Sequence, residues 1–173
     1  MTALINWIPY KLSYQDNNWR LLWMDLQEKH IKEPFFDETI GLCRIKMIQR
    51  SRYLPTSSLD FLVEAAKGID SIPPNAFIFH VSRCGSTLLS QALATAETNI
   101  VFAEAPLIDE ILRMKELDSS ITAEEQELWF KSAIALMGQK RKKEYKQLHV
   151  KLDSWHIHFY PLLRKWFPDT PFF

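Results

Sequence analysis

Seven consecutive residues, Ser82-Arg83-Cys84-Gly85-Ser86-Thr87-Leu88, bring a fixed cation, three hydroxyls, a thiol and one glycine together. An apolar run, Ala76 to Val81, precedes them, and Leu88, Leu89, Ala92 and Leu93 open a helical pattern after them. A loop entering a helix N-terminus aims several backbone N–H groups at one point, where the helix dipole adds positive potential. That is an anion site, most naturally for phosphate. Ser86 and Thr87 add hydroxyl donors, and Arg83 adds a charge that no ordinary pH removes. A Walker A loop reads G-x-x-x-x-G-K followed by Ser or Thr. With Gly85 as its second glycine, the first position falls on His80 and the lysine position on Ser86. The lysine that reaches the β and γ phosphates is missing, so ATP or GTP hydrolysis is not the first expectation.

The stretch Arg83-Cys84-Gly85-Ser86-Thr87 resembles the 5′-phosphosulfate loop of the sulfotransferase family, typically (K/R)-S-G-(S/T)-T after a strand; Cys84 stands where serine is usual. Phe102-Ala103-Glu104-Ala105-Pro106 is similar to the family's strand that ends in an acidic residue. Phe167-Pro168-Asp169-Thr170-Pro171-Phe172-Phe173 is similar to its lead into a further strand. The resemblance spans roughly Pro73 to Phe173. It implies a three-layer α/β P-loop fold and sulfuryl transfer from 3′-phosphoadenosine 5′-phosphosulfate to a hydroxyl or amine, with no metal. Ser82, Arg83, Cys84, Gly85, Ser86, Thr87 and Leu88 would bind the 5′-phosphosulfate. Arg83 would also stabilise the leaving group, and Glu104 would serve as general base.

In the family, an arginine and a later serine beyond this strand hold the 3′-phosphate. The chain stops at Phe173 inside an apolar stretch. This predicts a truncated chain and an exposed sheet edge through which two copies pair. Two rival expectations stand beside the transferase. One is a kinase-like enzyme using ATP and magnesium; the other is a non-catalytic interaction module that keeps the fold.

Other chemistry-bearing residues have plainer roles available. His80 alternates with Phe79 and Val81 as a core histidine would, and His156 and His158 are rival bases. Lys151 and Asp153 fall at the end of a strand, where structure explains them as well as substrate contact does. Cys84, at a helix N-terminus, is open to oxidation but lacks a partner base for nucleophilic work. Lys140-Arg141-Lys142-Lys143 suits the end of a helix. Glu104 is equally suited to capping the helix that follows.

The elements that must position these groups fall into two parts. Residues 1–70 read as a helical region. Trp19, Leu22, Trp23 and Leu26 recur at helical spacing, a second helix starts near Asp37 with Ile40, Cys43 and Met47 inward, and a third runs from Leu59 to Lys67. Ile72-Pro73-Pro74-Asn75 reads as a linker. Residues 71–173 alternate strand and helix, with strands at Ala76–Val81, Asn99–Ala103 and Leu148–Leu152 and a fourth opening at Pro171. Helices are expected at Ser86–Ala96, at Ile108–Lys115, from the capping box Thr122-Ala123-Glu124-Glu125 onward, and at Pro161–Trp166. Such alternation predicts a parallel sheet with its ligand site at the carboxyl ends of the strands.

Composition narrows the classes further. Lysine plus arginine and aspartate plus glutamate number 21 each, which argues against a nucleic-acid binder. Two cysteines make no disulfide framework, and the expected setting is the cytoplasm. Neither a signal peptide nor a run of about 18 apolar residues is present, so no membrane association is expected.

Overall fold

The computed structural model describes residues 4–51 and 53–173. The first element is not the expected helix. β1 (Trp7–Gln15) and β2 (Asn18–Asp25) form an antiparallel hairpin in which Gln15 faces Asn18. The turn residues Asp16 and Asn17 have φ of 51° and 59°. Two successive left-handed residues make the turn whose twist matches paired strands, and Asp and Asn tolerate it best after glycine. The strands bury Ile8, Pro9, Tyr10 and Leu12 on β1 and Leu21, Trp23 and Met24 on β2. The helical spacing of Trp19, Leu22, Trp23 and Leu26 is a by-product of an apolar run at 21–24. Pro9 sits in an edge strand beside a register shift, where its missing N–H costs least. A short β3 (Thr56–Ser57) completes this sheet against β2.

The rest of the N-terminal region is helical. α1 (Phe36–Arg50) turns Phe36, Thr39, Cys43 and Met47 inward. α2 (Leu59–Ala66) is capped by the Ser58 hydroxyl, which accepts from the Phe61 N–H at 3.3 Å.

From residue 74 the chain is α/β: β4 (Pro74–Ile78), α3 (Ser86–Thr95), β5 (Asn99–Ala103), α4 (Pro106–Leu117), α5 (Ala123–Met137), β6 (Gln147–Lys151), a 3₁₀ turn at Ser154–Phe159 and α6 (Tyr160–Trp166). β4 includes part of the expected linker and ends three residues earlier than the apolar run suggested. α5 starts at the expected capping box: Thr122 Oγ1 accepts from the Glu125 N–H at 3.1 Å, and Glu125 Oε2 accepts from the Thr122 N–H at 2.9 Å.

β6 pairs in parallel with both β4 and β5, so the order is β4-β6-β5. Phe172 adds a parallel bridge to Phe77 on the free side of β4, and the Phe79 N–H reaches Phe173 O at 2.7 Å. β5 is buried throughout and β4 apart from Asn75, whereas β6 carries Gln147, His149 and Lys151 between its apolar Leu148 and Val150.

One cluster of buried residues runs from Ile8 to Trp166. β1 lies against α4 and α5. Phe36 meets Phe102 edge-on at 4.9 Å, and Arg141 donates to the carbonyls of Gln27 and Lys29. Gly138 allows the α5 end to approach β6 closely: a Cβ there would collide with the Ile72 carbonyl and press on Leu148. Among the described residues no helix is long and apolar enough to cross a membrane.

Candidate functional site at the carboxyl ends of the strands

Spatial order places the Phe172 segment, β4, β6 and β5 side by side. The chain leaves β4 through α3 toward β5, on the far side of β6. It leaves β6 through α6 toward Phe172, on the far side of β4. The two connections run in opposite directions across the β4–β6 boundary, and such a point is where α/β sheets open a crevice at their carboxyl edge. The Ser82–Leu88 loop leaves one of these strands, and Lys151 and Asp153 lie at the end of the other.

The loop has the backbone of an anion cradle. Gly85, the N-cap of α3, has φ +86°, and Arg83 has φ 62°. The left-handed region costs an ordinary residue roughly 1–2 kcal/mol, and glycine essentially nothing. The Cys84 N–H closes a turn onto Val81 O at 3.3 Å, and the Leu89 N–H closes the first helical turn onto Gly85 O at 3.1 Å. The N–H groups of Gly85, Thr87 and Leu88 meet no acceptor among the described residues. Hydrogen bonding from Ser86 holds the Cys84 thiol below its ordinary value. Ser82, Arg83, Cys84 and Gly85 are exposed. Arg83 has no ion-pair partner among the described residues. Nothing lies within 4 Å of where a Gly85 side chain would start, so the approach to the loop is open.

The other strand ends are arranged differently. Glu104, just past β5, also has a left-handed φ of 55°. Its N–H bonds Lys151 O at 2.9 Å, and its Oε1 accepts from Lys151 Nζ. The Lys151 side chain is fully buried, with the Phe35 ring 5.5 Å from the ammonium. A buried ammonium needs such a partner. Glu104 therefore does not cap α4, where Ala105 is the N-cap. His80 Nε2 lies 3.3 Å from the same Glu104 oxygen but off the line a hydrogen bond needs, so it is buried without a hydrogen-bond partner. Among the described residues His80 Nε2 thus stands unpaired beside Glu104, just before the Ser82–Leu88 loop.

A second polar chain lies alongside. The fully buried His156 accepts the Asp153 N–H on Nδ1 at 3.1 Å. Its Nε2 must then carry the proton and donate to Asp109 Oδ1 at 3.0 Å. Burial lowers the His156 pKa, with Asp109 opposing. Asp153 is pushed up to about 6, chiefly by burial, then by the charges of Glu104 and Asp109. His158 is exposed, so the two histidines considered as bases part ways: one is locked in the interior, the other faces solvent.

Sequence reasoning passed over Asp109. It accepts from both His156 and the Trp155 indole, the latter at 2.8 Å. Its position one turn into a helix that starts beside Glu104 was the available signal. No group of three or more metal-ligating side chains occurs among the described residues. Comparison with known protein families, with curated proteins and with solved structures returns no match.

Proposed function

We propose that this chain is a sulfotransferase with a P-loop-type α/β fold, taking its sulfuryl group from 3′-phosphoadenosine 5′-phosphosulfate. The observation that carries the reading is the β4–α3 loop: three backbone N–H groups without acceptors, a left-handed Gly85 and an unpaired Arg83 at the topological switch point. The open approach over Gly85 suits a terminal phosphate or sulfate rather than a side chain of the protein. Ser82, Arg83, Cys84, Gly85, Ser86, Thr87 and Leu88 would hold the 5′-phosphosulfate. The donor supplies an electrophilic sulfur on a phosphate leaving group.

The residues then divide the work. Backbone N–H groups at the α3 N-terminus fix the anion. Arg83 offsets the negative charge that builds on the bridging oxygen as its bond to sulfur breaks. Glu104, held by Lys151, takes the proton that the acceptor hydroxyl or amine loses. With Cys43 and Cys84 both free thiols, the reading also places the protein in a reducing compartment such as the cytoplasm.

Calorimetric titration with 3′-phosphoadenosine 5′-phosphate, beside ATP with magnesium, tests this on wild type and Arg83→Ala. The expected result is saturable binding of the bisphosphate that weakens about tenfold or more in the variant, the loss of one charge-assisted contact. Binding of ATP with magnesium alone would favour a kinase-like enzyme. Binding of neither would favour a non-catalytic module.

A further inference from the structure

α1 is apolar on two opposite sides. Phe36, Thr39, Cys43 and Met47 form its buried face. A helix turns about 100° per residue, so Ile45 points about 160° away from both Cys43 and Met47. Leu42 and Ile48 lie one turn before and one turn after it on the same outward side. Leu42, Ile45 and Ile48 are 48%, 59% and 54% exposed. A Cβ added to Gly41, also on that side, would meet nothing within 4 Å, so nothing packs over the helix there. A single exposed aliphatic is ordinary, but three in register at the outer pole of one helix make a stripe.

Cations frame the stripe. Arg44 and Lys46 lie about 100° to either side of Ile45. Both are exposed, and neither has an ion-pair partner among the described residues. Arg50, bonded to Asp25 at 2.9 Å, follows one turn after Lys46. The acids of α1, Asp37 and Glu38, are confined to its first turn, where the helix dipole favours them. Tyr53, 86% exposed, borders the hollow at the end of the helix together with Arg50.

We propose that this face of α1 docks on an anionic phospholipid surface. The three aliphatics enter the headgroup boundary. The Arg44 and Lys46 stems lie along them, and the charged ends reach lipid phosphates on either side. Tyr53 supplies an aromatic of the kind such boundaries favour. The ridge is convex and one side chain wide. A fluid lipid boundary accepts such a ridge, whereas a rigid protein would need a matching groove. A second copy fits poorly. Two-fold pairing centred on Ile45 sets Arg44 against Arg44 and Lys46 against Lys46 when the helices run antiparallel, and Arg44 against Lys46 when they run parallel. An anionic bilayer answers the same charges. This revises the expectation of no membrane association, which was drawn from the lack of a spanning run: a helix lying in the interface needs none. The proposal does not rest on the transferase reading.

Flotation of the full chain with phosphatidylcholine vesicles containing about 30% phosphatidylserine, beside pure phosphatidylcholine, is the test. The expected result is binding to the anionic vesicles that falls with added salt and exceeds binding to the neutral ones about tenfold or more. Ile45→Gln with Ile48→Gln should weaken it about tenfold or more. Arg44→Gln with Lys46→Gln should act similarly, at about fivefold per cation. Lys115→Gln, on the exposed side of α4, should leave it unchanged. Melting temperatures should stay near wild type, because every altered side chain is exposed. No binding to the anionic vesicles, or equal binding to the neutral ones, overturns the proposal. So does binding that survives either double variant, or that Lys115→Gln lowers as much as they do. A dimer in light scattering that Ile45→Gln with Ile48→Gln dissolves gives the face to a second copy and overturns it too. Titration with 3′-phosphoadenosine 5′-phosphate is read separately, so the transferase reading and the lipid contact can each fail alone.

Discussion

The loop after β4 and the strand ends after β5 and β6 lie at the same carboxyl edge of the sheet with opposite designs. The loop is exposed, its cation unpaired and several of its N–H groups unmatched. At the neighbouring strand ends, Lys151 is paired to Glu104, and His156 is tied to Asp153 and Asp109. An exposed, unmatched loop gives up little when it exchanges water for a ligand. A buried, mutually bonded cluster holds its geometry before any ligand arrives, because breaking it exposes an unpaired charge. Stability should therefore be concentrated in the second region and ligand affinity in the first.

The largest effect should come from Lys151→Met. It removes the partner of a carboxylate held in a left-handed conformation, and breaking a buried pair costs about 3 kcal/mol. Urea unfolding measures this, and adding Glu104→Gln to the same chain should recover part of the loss. A double variant no better than the single one would show that the pair is not the source.

The pH dependence comes next. Glu110 is pushed up from 4.5 to about 7, chiefly by burial, although its Oε2 accepts the Leu12 N–H of the hairpin. Asp153 rises from 3.8 to about 6. Both groups hold protons more tightly folded than unfolded, so the folded state is favoured at low pH. Their contribution is fully present below about 4 and declines as pH rises to about 7. Glu110→Gln together with Asp153→Asn should remove that decline across the window. Because His156, lowered by burial, tilts the wild-type profile the other way, the decisive quantity is the difference between wild type and the double variant. A difference that stays constant between pH 4 and 7 would contradict the assignment.

Gly85→Ala should cost about 1–2 kcal/mol from the left-handed backbone alone, since a Cβ there meets no neighbour. Its effect on anion affinity should be larger than that on stability. Arg83→Ala should leave unfolding within about 0.5 kcal/mol of wild type, as expected of an exposed side chain without partners. The smallest perturbation separates the thiols. Iodoacetamide should alkylate exposed Cys84, lowered by Ser86, well before buried Cys43, raised by burial. Peptide mapping after brief labelling reads the order.

The loop was legible because its signal is local: glycine at the N-cap, hydroxyls beside it and an apolar strand before it. The capping box at Thr122 and the Ser58 cap were legible for the same reason. The hairpin was not, because the run from Leu21 to Met24 satisfies helical and alternating periods at once, and the decisive turn lies in Asp16-Asn17. The pairing of Glu104 with Lys151 required knowing that β5 and β6 are neighbours. Sequence order does not say so, since β6 enters the sheet between two earlier strands. Asp109 was hidden for a similar reason: its partners Trp155 and His156 lie more than forty residues away.

The most direct measurement of the central claim is residue-resolved: the amide signals of Gly85, Thr87 and Leu88 during titration with 3′-phosphoadenosine 5′-phosphate. The account predicts that these three shift together and saturate, while the Lys151 and His156 amides move little. Binding that shifts the hairpin amides and leaves Gly85, Thr87 and Leu88 in place would contradict it.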